Sequence, residues 1–476
     1  MQHVRFSHGK TAQRLCLCAL TLLLLVPSFF SNAWHVAERK RFLDEQAVGE
    51  CLIAGRMVKT RRDGIVSAGG LTGAWVQDTA LARGLSDSWL SPQQARDQYA
   101  IYFNGAGPAT YAPYLSQTGG QAMLYSVLDG LIPAPPRTRL ALLHLLTSLL
   151  SAVALTLIIL WFHAEFGSAV AMTVACSTVL SQWLTVFGSN LWWSLWAFYL
   201  PMIAAMYFLK KRRAHGRTAL IAAGILCFAA VFAKCLVNGF EFITTTLVMM
   251  LIPFVYYAIR HGRGVRLFLK ETIAAMTGAC LAVCLSLAIL SFQIAAVKGS
   301  VRDGVEHIVY SFGKRTHGQA HDYPDPLKES LEAPTLGVLV RYLAASYFDF
   351  NNYLTVSSQF LSGFVFKIRY AYLIAVFLAM SGVVLLRAQS GDSAELRARN
   401  VALVCAAWAS MLAPLSWFVV FKAHSFVHAG INFILWQMPF TFFGFAVCGV
   451  AVKSVFGRKD ARSGRRSSGW SALSDP

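Results

Sequence analysis

The sequence predicts an all-α integral membrane protein with about ten transmembrane helices, on three observations. The 476 residues are 56% hydrophobic and only 14% charged, against about 25% charged in soluble domains. Apolar runs near the length of a bilayer crossing recur along the chain, and a spanning segment must satisfy its own backbone groups, which leaves helices or closed barrels. The runs are continuous and rich in Leu and Ala rather than alternating, so helices are expected.

The order of elements follows from the runs and the charges between them. Residues 1–33 hold a basic N-terminal tail (Arg5, Lys10, Arg14) and a first apolar run from Leu15 to Phe30. Ser31-Asn32-Ala33 resembles a small-x-small cleavage site, but keeping the run as a helix lets the later spans alternate. Residues 34–137 form a long polar loop, expected outside the membrane with short helices of its own. Residues 138–297 supply the second to seventh spans. The turn Gly188-Ser189-Asn190 separates the third and fourth, with Trp192, Trp193 and Trp196 as interfacial aromatics. The apolar stretch Ala219–Ile259 is too long for one crossing and breaks at Asn238-Gly239. Residues 298–368 form a second outer loop, in which Leu336–Phe350 reads as an amphipathic or re-entrant helix. Residues 369–456 carry the eighth to tenth spans, with a kink at Pro414, and residues 457–476 read as a basic disordered tail.

The net charge of +19 does not mark a nucleic-acid binder. Lys210-Lys211-Arg212-Arg213, then Arg260, Arg263 and Arg266, follow apolar runs, and the tail adds Arg458, Lys459, Arg462, Arg465 and Arg466. Cations gathered at alternate span ends are the positive-inside pattern, and no stacking motif accompanies them. The expected location is a bacterial cytoplasmic (inner) membrane, crossed many times, with both termini cytoplasmic. Most cysteines lie inside apolar runs as small core residues, and no disulfide framework or CxxC motif is present.

Candidate chemistry lies in the loops. Asp44-Glu45 follows the first span closely, where a partly desolvated carboxylate can act as general base; a solvated charge among Glu38, Arg39, Lys40 and Arg41 is the competing reading. Asp78, after a Gly-rich turn, is the strongest rival carboxylate. Lys234 and Glu241 flank the turn between the fifth and sixth spans. They could pair with each other, or Lys234 could meet a lipid phosphate. Lys314, Arg315 and His317 form a cationic run suited to phosphate, with His321 beyond. His424, His428 and Asn432 fall at four-residue spacing, on one face if helical. Two histidines fall short of the usual three protein ligands of zinc, so no cofactor is expected, with a divalent metal left open. Tyr114, Gln117 and Gln121, with Tyr102 and Tyr111, would suit a sugar-binding wall or a packed loop. No P-loop, GxSxG, HExxH or dinucleotide fingerprint occurs.

One span, a long outer loop opening on Asp44-Glu45, six close spans, a second outer loop and further spans resemble the layout of the C-type (GT-C) integral membrane glycosyltransferases. That resemblance implies transfer of a sugar from a polyprenyl-phosphate donor to an envelope lipid or polysaccharide on the outer face. It implies Asp44 as catalytic base with Glu45 as its neighbour. By location it implies Lys234, Lys314, Arg315, His317, His424 and His428 as donor-phosphate ligands. The cluster Arg39 to Arg41 departs from the family pattern and would weaken Asp44 as a base. The segment His424-Ser425-Phe426-Val427-His428 also resembles one in uncharacterised bacterial multi-span membrane proteins, which implies no activity. The alternative function is a non-catalytic component of polysaccharide assembly or transport. A solute transporter is disfavoured because no internal repeat is present.

Overall fold

In the computed structural model the described residues are 8–85, 90–105, 107–211, 216–350, 367–389 and 393–467. The chain is a multi-pass, predominantly helical membrane protein, and the described residues add two small two-stranded antiparallel sheets. The first half runs α1 (His8–Ser31), α2 (Arg39–Asp63), β1 (Gly73–Val76), α3 (Pro92–Asn104), β2 (Thr110–Pro113), α4 (Gly120–Leu131), α5 (Pro136–Phe166), α6 (Ser168–Val179), α7 (Gln182–Gly188), α8 (Leu195–Lys211) and α9 (Arg217–Asn238). The second half runs α10 (Ile243–Arg260), α11 (Val265–Lys298), α12 (Val301–Gly313), α13 (Asp325–Glu332), α14 (Thr335–Leu343), β3 (Ser346–Asp349), β4 (Lys367–Arg369), α15 (Tyr370–Gln389), α16 (Ala394–Ser410), α17 (Leu412–Val420), α18 (Lys422–Val427) and α19 (Phe440–Ser467).

Among the described residues seven helices are long and apolar enough to cross a bilayer: α1, α5, α9, α10, α11, α15 and the α16–α17 pair. The other three expected spans depart from straight crossings. The third bends by 68° between α6 and α7. There Ser181 starts a new helix by accepting a hydrogen bond from the Leu184 amide. The fourth, α8, has 17 residues and encloses Pro201. The tenth starts at Phe440 rather than Ile431, because Asn432–Gln437 forms a 3-10 turn.

Two expected breaks are present. α9 ends at Asn238, and Gly239 takes a left-handed φ of 55°. α16 ends at Ser410, four residues before Pro414, whose ring nitrogen has no hydrogen to give the Ser410 carbonyl. The stretch Leu336–Phe350 is not one helix: α14 stops at Leu343 and β3 then pairs antiparallel with β4. Ordered structure also enters the expected disordered tail, since α19 continues to Ser467; residues 468–476 lie outside the described set. Arg212 and Arg213 also lie outside it.

One end of the bundle is tied by a single buried carboxylate. Glu165 of α5 accepts hydrogen bonds from the Tyr256 and Tyr257 hydroxyls, at 3.0 and 3.2 Å. It pairs with Arg260 of α10 and, at 3.2 Å, with Lys210 of α8. Arg399 of α16 donates to the Glu165 carbonyl. The ends of four helices are thereby held at one level. The described parts of the long connections, 32–85, 90–105, 107–135, 299–350 and 367–369, gather at the other end, with the turns 189–194, 239–242 and 421–439.

At this second end α2 lies under a cover built from β1, β2, α3 and α4. Arg56, fully buried, donates to the carbonyls of Ser67 and Leu71, which fixes the Gly-rich loop onto α2. Asp129 of α4 is clamped by Arg61 at 3.1 Å and Arg139 at 2.9 Å and receives the Tyr102 hydroxyl. Glu50 binds His144 and Tyr99, each at 2.9 Å. These ion pairs satisfy the charges that folding buries.

Candidate functional site

Several ionisable side chains meet where the described parts of the two long connections lie over the helix ends. The turn after Asn238 presents Glu241. The segment after α17 presents His424 and His428, and the end of α12 presents Arg315. His424 Nε2 stands 3.4 Å from Glu241 Oε1. The backbone amide of His424 donates to the Arg315 carbonyl at 3.1 Å, which seats α18 against the end of α12. The His428 amide donates to His424 O and the Asn432 amide to His428 O, but α18 ends at Val427 and Asn432 opens a 3-10 turn, so the three residues do not share one helix; the two imidazole rings still lie 4.5 Å apart. The indole of Trp417 closes the other side of His424, at 5.5 Å.

The first loop reaches the same place. Arg315 donates to the Tyr114 hydroxyl at 3.1 Å, and the Tyr114 ring stands edge-on to Trp192 at 5.4 Å. Trp192 packs on Gly49 of α2, where a Cβ would fall 2.6 Å from the ring. Glu45 lies one turn earlier on α2. Its backbone carbonyl accepts from Asn190, and Gln46 donates to Ser189, so α2 is docked on the turn before α8. A Cβ on Gly430 would stand 3.7 Å from Glu45 Oε1, which places this carboxylate two residues past His428. Among the described residues no side chain donates to it.

The electrostatics favour neutral imidazoles beside poised carboxylates. Burial raises Glu45, with Arg41 opposing and Asp44 adding to the rise. Burial raises Glu241 as well, against the pull of Arg315, His428 and Lys234. His424 is held well below its ordinary value by burial and by the charges of Arg315 and Lys314. His428 is pushed down to about 3 by burial and by His424, with Glu241 opposing. The cluster therefore holds one guanidinium, one carboxylate with raised affinity for a proton and two uncharged rings, with the Glu45 carboxylate bordering it at Gly430. That set can bind an anion at Arg315 and accept a proton nearby.

Several expected site residues stand elsewhere. Asp44 points away from the pocket, exposed, and pairs with Lys40 at 2.5 Å. The cause is helical phase: Asp44 shares a face with Lys40 and Val48, whereas Phe42, Gln46 and Gly49 are buried. Asp78 accepts from the Ala80 amide and caps a short 3-10 turn on the surface. Lys234 is fully buried, and its ammonium donates to the carbonyls of Gly239 and Glu241 at 2.9 and 2.5 Å, so it braces the turn from within. It does not pair with the Glu241 carboxylate directly. Gln117 and Gln121 are buried and bonded to each other at 3.2 Å, with Gln117 packed on Gly239, so they form no open wall. His317 is exposed and shares a hydrogen bond with the Val419 carbonyl at 2.9 Å. Lys314 reaches over the Tyr310 ring at 5.5 Å while its charge acts on His424.

Of the expected residues, Glu45, Arg315, His424, His428 and Tyr114 come together, with Lys314 beside them. Glu241 and Trp192 join them. Glu241 carried one signal in the sequence, an acid at the end of an apolar run. Trp192 carried only the signal of an interfacial aromatic. Among the described residues no group of three or more His, Cys, Asp or Glu side chains is arranged to hold a metal ion. No family model, curated protein or solved structure matches this chain.

Proposed function

We propose that the chain is a membrane glycosyltransferase of GT-C-like layout, moving a sugar from a polyprenyl-phosphate donor to an envelope lipid or polysaccharide. In this reading the end with the long connections faces outward from a bacterial inner membrane, in two large extracytoplasmic loops. The basic end and both termini are cytoplasmic, and the bent and short helices α6–α7, α8 and α19 bring the membrane segments to about ten. The observation that carries the reading is the approach of Glu241 to His424, with Arg315 and His428 beside them and Glu45 bordering the cluster at Gly430.

The chemistry is a single displacement. The acceptor hydroxyl oxygen attacks the anomeric carbon, the carbon–oxygen bond to the donor phosphate breaks, and its electron pair leaves with the phosphate. Glu45 takes the acceptor's proton, replacing Asp44 in that role. Arg315, with Lys314 beside it, stabilises charge growing on the phosphate. Glu241 holds Arg315 and the imidazoles in place, and the Tyr114–Trp192 pair offers an aromatic wall to the sugar. Inversion at the sugar follows from one displacement.

The test is sugar transfer by purified protein in liposomes, supplied with polyprenyl-phosphate hexoses and pentoses and with envelope acceptors. Transfer that disappears in Glu45→Gln and Arg315→Ala but persists in Asp44→Asn supports the reading. The second reading, a non-catalytic component of polysaccharide assembly or transport, is favoured by the surface placement of Asp44 and Asp78. It gains if cells carrying Glu45→Gln at normal protein level keep unaltered envelope glycans.

A further inference from the structure

The opposite end of the bundle carries a feature that the pocket does not use. Between α8 and α9 the surface opens into a groove of about 480 Å³, lined by Ala204, Tyr207, Phe208, Lys211 and Leu226. Its walls are hydrocarbon and ring faces. The Tyr207 hydroxyl is already spent, donating to the Leu157 carbonyl of α5 at 2.9 Å. The groove's charged lining residue is Lys211, at the last turn of α8, where the chain leaves the apolar segment.

The surrounding charges are positive. Lys210 is committed to Glu165. Arg14, from the exposed start of α1, is near enough for its charge to act on both Tyr207 and Lys210. Among the described residues neither Arg14 nor Lys211 has an acidic partner. An apolar trough that faces the bilayer and ends in unpaired cations has the two halves of a phospholipid site: acyl chains need the trough and a phosphodiester needs the cations. An acidic peptide would meet the cations but waste the trough, which lies along membrane-embedded helix surface.

We propose that this groove binds one anionic phospholipid, with its acyl chains along Phe208 and Leu226 and its phosphate at Lys211 and Arg14. Native mass spectrometry of the full chain in detergent tests this, with phosphatidylglycerol and phosphatidylcholine of matched acyl chains as probes. The expected result is one retained phosphatidylglycerol per chain, favoured over phosphatidylcholine by about fivefold for each cation engaged. Lys211→Gln should reduce that preference by about fivefold. Leu226→Trp, which fills the trough, should lower retention of both lipids. Equal retention of the two lipids by the unaltered chain would overturn the proposal. So would phosphatidylglycerol retention in Leu226→Trp equal to that of the unaltered chain.

Discussion

Glu165 and the Glu45–Glu241 pair are all acids packed at helix ends, at opposite ends of one molecule, and they are treated differently. Glu165 has both oxygens filled: two tyrosine hydroxyls, Arg260 and Lys210 surround it. Glu45 has no donor among the described residues, and Glu241 has a histidine at 3.4 Å rather than a close ion pair. A saturated buried carboxylate holds helices together. An undersaturated one retains its capacity for a proton or a ligand, and such retention of cost is the mark of a working site.

The sharpest way to break this contrast is to neutralise each acid without changing its shape. Glu45→Gln should reduce sugar transfer by about 10²- to 10⁴-fold while raising, not lowering, the thermal stability at neutral pH, because it removes a charge that burial disfavours. Activity that survives this change would remove Glu45 from the chemistry. Glu165→Gln should do the reverse, with transfer per folded molecule kept and stability lowered by about 2–3 kcal/mol. That figure sits below the usual cost of a broken buried pair because Arg260 and Lys210 keep partial exposure. Unfolding in detergent and yield of folded protein measure it.

A smaller effect separates the histidines from the acids by pH. His428 titrates near 6.5 when free and is pushed to about 3 in the fold. Between those values the unfolded chain binds more protons than the native one, so stability falls as pH drops. His424 acts in the same sense. Glu45 and Glu241 oppose it: their raised values let the native state take up protons first, which adds stability as pH falls toward 4.5. Melting temperature should therefore decline most steeply between about pH 4.5 and about 3, where the carboxylates no longer oppose the histidines, and His428→Gln should flatten the decline. The smallest effect is expected at Asp44→Asn. The ion pair with Lys40 is exposed and screened by solvent, so thermal unfolding and transfer should both stay unchanged.

The membrane scaffold was legible because lipid imposes a strong rule on sequence. Long apolar runs gave α1, α5, α9, α10, α11, α15 and α16–α17, and the breaks at Gly239 and Pro414 follow from backbone chemistry. The bends and shortened helices were hidden because apolar composition continues through them, as at Ser181. The family resemblance favours Asp44 over Glu45, and a loop reading of residues 34–137 gives no phase that would separate the two. Read as a helix, residues 39–63 place Lys40, Asp44 and Val48 on one side and Phe42, Gln46 and Gly49 on another. The approach of Glu241 to His424, across 183 positions of chain, leaves no local trace in a single sequence.

The bond from Arg315 to Tyr114 joins the two long connections, and the His424 amide on the Arg315 carbonyl adds a third segment. During synthesis Glu45 and Tyr114 emerge early, Arg315 much later, and His424 later still. The cluster is thus incomplete until the chain has been made and inserted past His428. Until Arg315 is made a nascent chain carries Glu45 with only its neighbour Arg41 for a counter-charge, and until His424 is made it lacks the segment that seats Arg315, so the cluster is withheld from partly assembled molecules by the order of manufacture alone.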